Sequence, residues 1–273
     1  LGNIPGHTFL GIASEFAGVQ IDDSTLTVNA YAVPEFAKGR QESKQEVWFA
    51  DFELRSKSQS GHAELVAVKP ATAVAAAHEF HALQAVGRRL GDRYGRKVTF
   101  DGLGFYFDEA RHKVSSVTKY DHSVQSMDQI MWSRENMPTQ EQVIDVFGKA
   151  AETLAMLHGE AGVAHGDSQP KNIASDRKGV RIVDLEEAKD LLTADGSVNA
   201  FKAEQCIRED LETFLLLLGG DYTHLVREYF AEPYAAQVAE ANLLPRYVQL
   251  SVPEIVQIST GEQRAVPYLG PRF

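Results

Sequence analysis

The hydrophobic and polar positions change period along this chain. Between residues 25 and 70, "TLTVNAYAV" and "EVWFADFEL" alternate apolar with polar side chains, and "ELVAVKP" runs apolar up to a proline. A period of two is what a half-buried strand requires, because successive side chains leave the backbone on opposite faces, and Pro70 lacks the N–H that would continue the ladder. The polar run "RSKSQSGHA" reads as the turn of a hairpin. Next, "ATAVAAAHEFHALQAVGRRLG" is rich in Ala and places two arginines just before Gly91. That pattern predicts a helix with cations in its last turn, where the dipole is negative, and a glycine stop. "KVTFDGLGFYFD" and "KVSSVTKYD", joined by "EARHK", predict a second pair of strands.

From Thr139 the period becomes helical. Thr139 with Gln142 forms a capping box, and Val143, Phe147, Ala150, Leu154 and Leu157 make one apolar stripe. Beyond a polar stretch come a short strand, "VRIVDL", a helix at "EQCIREDLETFLLLL" closed by Gly219 and Gly220, and further helices to about Leu250. Strands followed by helices predict an α+β chain of two packed lobes, not a doubly wound parallel sheet. The expected division is a strand-rich part over residues 1–120, its first 24 residues unassigned, and a mostly helical part over 121–273. The break falls near "KYDHSVQS".

Composition narrows the partners. With 273 residues, 44% hydrophobic and 24% charged, the chain has the make-up of an ordinary globular protein with a sizeable core. One cysteine, Cys206, excludes an internal disulfide framework and points to a reducing, cytoplasmic setting. A net charge of −11 argues against nucleic acid or an anionic membrane as partner, since both require clustered Lys and Arg. The start, "LGNIPGHTFLGIASEF", lacks the basic and apolar regions of a secretion signal, and the longest apolar run, "FLLLL", is far shorter than a membrane span.

The candidate chemistry sits in "GVAHGDSQPKNIA", residues 162–174. Pro170 makes this a constrained loop, with Asp167 and Asn172 five residues apart, and Asp184 ends the apolar strand that follows. Two carboxylates and an amide oxygen are hard donors suited to Mg²⁺, which completes its shell with substrate phosphates. The constellation therefore implies a nucleotide.

His165-Gly166-Asp167, then Asn172, then Asp184 resembles the catalytic loop and metal-binding aspartate of the protein-kinase-like superfamily, which includes the aminoglycoside and choline phosphotransferases. Upstream, "VAVK" at 66–69 resembles its strand lysine, and Glu79 is the one acid in the following helix. The resemblance implies a bilobal fold and a kinase using ATP and Mg²⁺. Asp167 would take or orient the proton of the acceptor hydroxyl, and Asn172 and Asp184 would hold Mg²⁺. Lys69 would contact the α- and β-phosphates and Glu79 would hold Lys69. His165 would brace the loop, as would Asp210 in "REDLETF", for which a helix-surface carboxylate is the alternative. Lys171 is expected to be exposed and incidental, and Glu186 to add a metal contact.

Some features depart from that pattern. The phosphate-covering loop is expected near "KGRQESK", residues 38–44, where Gly39 is the sole glycine in place of G-x-G-x-x-G. No G-x-x-x-x-G-K-S/T loop occurs, and "HEFH" puts its second histidine one residue too early for a zinc signature. Gly166 stands where many protein kinases carry arginine, Gln169 where Ser/Thr kinases carry lysine, and no A-P-E lies between Asp184 and Asp210. These differences resemble the small-molecule branch, with an atypical protein kinase and a nucleotide-binding pseudokinase or scaffold as alternatives. From Asp184 to Glu232 twelve acids face four Lys and Arg, a net −8 of the total −11. That excess fits either a cationic small-molecule acceptor or simply solvated helix faces.

Overall fold

The strands follow the period-two pattern closely. The computed structural model describes residues 7–12, 25–31, 48–55, 64–100, 102–108, 113–119, 124–132, 138–176, 179–193, 195–218, 222–241 and 250–261. Strands β1 (His7–Ile12), β2 (Thr25–Tyr31), β3 (Trp48–Arg55) and β4 (Glu64–Ala71) precede helix α1 (Ala73–Val98), and β5 (Gly102–Asp108) and β6 (Lys113–Lys119) follow it. All six form one sheet in the order β1-β5-β6-β4-β3-β2 with antiparallel neighbours. The β2–β3 register sets Val28 opposite Phe52 and Leu26 opposite Leu54, so the two alternations coincide.

Two expectations need correction here. Residues 7–12, left unassigned from the sequence, are a strand that covers the free edge of β5, with a register shift between Phe9 and Gly11. "KVTFDGLGFYFD" is not a single strand. Gly91 breaks the helix as expected, with φ 67° and ψ 166°, but the chain resumes helical geometry to Val98 before β5 begins at Gly102. Val98 and Thr99 carry β-branched side chains that suggest a strand, yet both are buried, and the bridge from Thr99 to Ile182 is an isolated parallel one outside the sheet. The turns at 56–63 and 109–112 lie outside the described residues, as do Gly39 and the Gly219-Gly220 stop.

The second half is mostly helical: β7 (Gln125–Ser126), α2 (Met127–Met131), α3 (Gln140–Ala155), β8 (Val163–Ala164), β9 (Ile173–Asp176), β10 (Gly179–Ile182), β11 (Lys189–Asp190), α4 (Ala200–Leu217), α5 (Thr223–Val226), α6 (Glu232–Glu240) and α7 (Val252–Thr260). The chain is thus α+β. It divides into two compact units, Leu1–Gln125 with Asp176–Ala188, and Ser126–Ser175 with Lys189–Phe273. Asp184 therefore belongs to the unit that contains Lys69 and Glu79.

Helix α3 starts as its sequence dictates. The Thr139 hydroxyl accepts from the Gln142 amide at 3.2 Å, and the Thr139 amide donates back to Gln142 Oε1 at 2.8 Å. Val143, Phe147, Ala150, Leu154 and Leu157 are all buried, as their spacing requires. The helix then widens into a π-helical turn, Met156–Glu160, and α3 packs against α6. Phe214 and Phe230 meet at 5.1 Å between ring centroids, and Phe230 stacks on Tyr234 at 5.9 Å and 9°. Among the described residues no helix is long and apolar enough to cross a membrane.

Candidate functional site

In the second unit, the loop opens on β8, which pairs antiparallel with β11 so that Ala164 faces Lys189. It closes with a single 3₁₀ turn, Pro170–Asn172, whose proline occupies the first helical positions, where its missing N–H costs nothing. Between these supports the chain is held from beneath by Asp210, on α4. The Asp210 carboxylate accepts from the His165 amide at 2.5 Å and the Gly166 amide at 2.8 Å, and its backbone carbonyl accepts from the Ser168 hydroxyl at 2.5 Å. It is 1% exposed, which removes the surface-carboxylate alternative. Burial alone would raise its pKa. Hydrogen bonds from the His158 ring and the His165 amide act against burial, and its pKa is held below the usual carboxylate range.

This brace explains two residues of the motif. Gly166 has φ 84°, a left-handed backbone in which a β-carbon is strained, so glycine suits the position whatever it recognises. His165 is fully buried and its Nδ1 accepts from the Asp167 amide at 3.3 Å, a bracing role within the loop. Asn172 is 4% exposed, and its Nδ2 donates to the Asp167 carbonyl at 2.8 Å and to Asp167 Oδ2 at 3.0 Å. The structure thus brings Asp167 and Asn172 together. Lys171 is exposed, with its Nζ 3.9 Å from Asp167 Oδ2.

No family model and no curated protein matches this chain. Among solved structures, one titled "WaaP in complex with acyl carrier protein" is similar to it. That structure shares 15% identity and a TM-score of 0.44 over 74% of this chain and 81% of the other.

In the first unit, Lys69 lies in β4, an interior strand of the sheet, opposite Ser116 of β6. Glu79 lies on α1 and is 4% exposed, whereas the two histidines of "HEFH" are exposed. Helix α1 packs against β4, β5 and β6, and also against the 3₁₀ turn Leu185–Glu187 that follows Asp184. There His78 Nδ1 lies 2.7 Å from the Glu186 carbonyl oxygen. Leu185 is fully buried, and Arg181 lies 4.6 Å above the Phe100 ring. Asp184 itself has φ 63° and ψ 61°, the one left-handed non-glycine backbone among the described residues. Aspartate tolerates that region better than most residues, but such a backbone is held in place by its surroundings and recurs at functional sites.

Two polar residues escaped the sequence reading. His158, in the π-helical turn, is fully buried, with Nε2 3.0 Å from Asp210 Oδ2 and Nδ1 2.7 Å from the Tyr234 hydroxyl. Its signal was available: it lies four residues after Leu154, on the apolar stripe, where a polar ring must find partners. Tyr234, on α6, carries no such signal.

Asn172 presents one hard donor. Because Asn172 Nδ2 is committed to Asp167, Asn172 Oδ1 remains as an acceptor that takes no hydrogen bond from the described residues. An amide oxygen is a hard donor of the kind Mg²⁺ accepts.

Proposed function

We propose that this chain has a protein-kinase-like fold and is an ATP- and Mg²⁺-dependent phosphotransferase that moves the γ-phosphate to a hydroxyl of a small-molecule acceptor. The observation that carries the reading is the braced loop. Asp210 fixes the amides of His165 and Gly166, and Asn172 fixes Asp167, so a carboxylate is held in one orientation on a loop built around it. The interior position of Lys69, the burial of Glu79 and the left-handed backbone at Asp184 agree with the roles their sequence context implies.

Asp167 acts on the acceptor. Its Oδ2 is occupied by Asn172 Nδ2, which leaves Oδ1 to accept the hydroxyl proton as the oxygen attacks phosphorus. Asn172 Oδ1 and Asp184 would hold Mg²⁺, which when bound neutralises charge on the phosphate oxygens. Lys69 would bind the α- and β-phosphates of ATP with Glu79 as its partner, and the loop containing Gly39 would cover them. The acidic run from Asp184 to Glu232 favours a cationic acceptor such as an amine or amino sugar.

The deciding experiment offers amines, sugars and test proteins to the purified chain with γ-labelled ATP and follows the label. Transfer to a small hydroxylated amine or sugar, abolished in Asp167→Asn, supports the reading. Labelling of proteins alone favours an atypical protein kinase, and nucleotide binding with no transfer to any of the three favours a pseudokinase.

A further inference from the structure

We propose that Tyr234 is a positioning residue that acts through His158 and Asp210 to fix the backbone of His165 and Gly166, and with it the loop that carries Asp167. The inference rests on the phosphotransfer reading for its effect on turnover, but not for its effect on the loop. Three buried polar groups stand in line: the Tyr234 hydroxyl 2.7 Å from His158 Nδ1, and His158 Nε2 3.0 Å from Asp210 Oδ2. That same Oδ2 accepts from the His165 amide. Tyr234 is 2% exposed and His158 and Asp210 are 0% and 1% exposed, so water does not substitute for a missing partner.

The direction of the hydrogen bonds follows from the end groups. Asp210 is an acceptor only, so His158 Nε2 carries a proton and donates to it. In the arrangement proposed, that is the ring's one proton, so Nδ1 accepts and the Tyr234 hydroxyl donates to it. Burial, reinforced by the Asp210 charge, pushes the Tyr234 phenol well above its usual range, so it keeps the proton it must donate. Tyr234 thereby supplies the donor for the one ring nitrogen that Asp210 leaves as an acceptor. Without its hydroxyl, a proton moved to Nδ1 would leave Nε2 with a lone pair against a carboxylate. Asp210 would lose one of its three side-chain contacts and shift against the two amides it holds. The ring of Tyr234 has a separate structural role, stacked on Phe230 and edge-on to His158 at 5.9 Å in each case.

The test is nuclear magnetic resonance on protein labelled with ¹⁵N in histidine and glycine, comparing wild type, Tyr234→Phe and Phe230→Leu. In the wild type, the proposal requires the His158 proton on Nε2, with Nδ1 unprotonated. A proton found on Nδ1 overturns it without any variant. Tyr234→Phe should alter the His158 ring signals and speed hydrogen exchange at the Gly166 amide by about tenfold or more. Phe230→Leu, which disturbs the same aromatic stack but no hydrogen bond, should leave both near their wild-type values. If Tyr234→Phe leaves both unchanged, or Phe230→Leu moves them as much, Tyr234 only packs. In turnover of labelled Mg·ATP, Tyr234→Phe should lower kcat about tenfold while KM for Mg·ATP stays within about twofold, and an unchanged kcat overturns the proposal. The expected spectra in a wild type that transfers no phosphate would place the failure in the phosphotransfer reading instead.

Discussion

Replacing Asp210 by asparagine preserves shape and removes only charge and one acceptor. The carboxylate accepts from the His165 amide at 2.5 Å, the Gly166 amide at 2.8 Å and His158 Nε2 at 3.0 Å. The less damaging orientation of the new amide keeps its oxygen towards His165 and His158 and turns its NH₂ towards the Gly166 amide, a donor against a donor. Two charge-assisted bonds then become neutral ones, and one buried N–H is left without an acceptor. Those losses amount to about 2–5 kcal/mol, against a total stability of about 5–15 kcal/mol, so the variant still folds. Urea denaturation followed by circular dichroism measures the difference. The folded-state pKa of Asp210 lies below the unfolded value of about 3.9. Its contribution is therefore complete above that pH and is lost as pH falls through the folded value. The gap between wild type and variant should narrow as pH falls below about 4. A loss smaller than about 0.5 kcal/mol at neutral pH, or a gap that persists in acid, would refute the reasoning.

Further outcomes follow from the same coordinates. Thr139→Ala removes the hydroxyl that accepts from the Gln142 amide and should cost about 1 kcal/mol in urea denaturation, most of it recovered by Thr139→Ser. Gly159→Ala places a Cβ 2.7 Å from that of Ala241, so the π-helical turn and the end of α6 must part, at a cost of about 1–3 kcal/mol read the same way. Arg208 bridges Glu204 at 3.0 Å and Glu254 at 2.9 Å, and Glu254→Gln should cost about 0.5–1 kcal/mol, shrinking when denaturation is repeated in about 1 M salt. Asp167→Asn should retain Mg·ATP, measured by calorimetry, while losing transfer to the acceptor, because Asp167 addresses the hydroxyl and not the metal.

How far the chain could be read in advance depended on whether a feature was local. The Thr139 cap and the stripe from Val143 to Leu157 are set by neighbours three and four residues apart, and they formed as written. The alternation in β2 and β3 predicted strands, but not the sheet order, because a strand's pattern names its buried face and not its neighbour. Strand β1 was missed because glycine, proline and histidine break up its surroundings, and it gains its hydrogen bonds from β5, nearly a hundred residues away. The site divided along the same line. Spacing alone singled out Asp167 and Asn172, five residues apart. The identity of the loop's anchor depended on contacts across more than forty residues, which left Asp210 ambiguous and Tyr234 unseen. Gly166, read as the absence of an arginine, turned out to answer a backbone need as well.

The central proposal, that this chain binds Mg·ATP and needs Asp184 to do so, meets its most direct test in thermal unfolding with and without Mg·ATP. A ligand at about one hundred times its Kd stabilises the native state by about 2.7 kcal/mol. Mg·ATP should therefore raise Tm by several degrees in the wild type, ATP with EDTA by much less, and Mg·ATP in Asp184→Asn hardly at all. No shift in the wild type, or an undiminished shift in Asp184→Asn, would contradict the account.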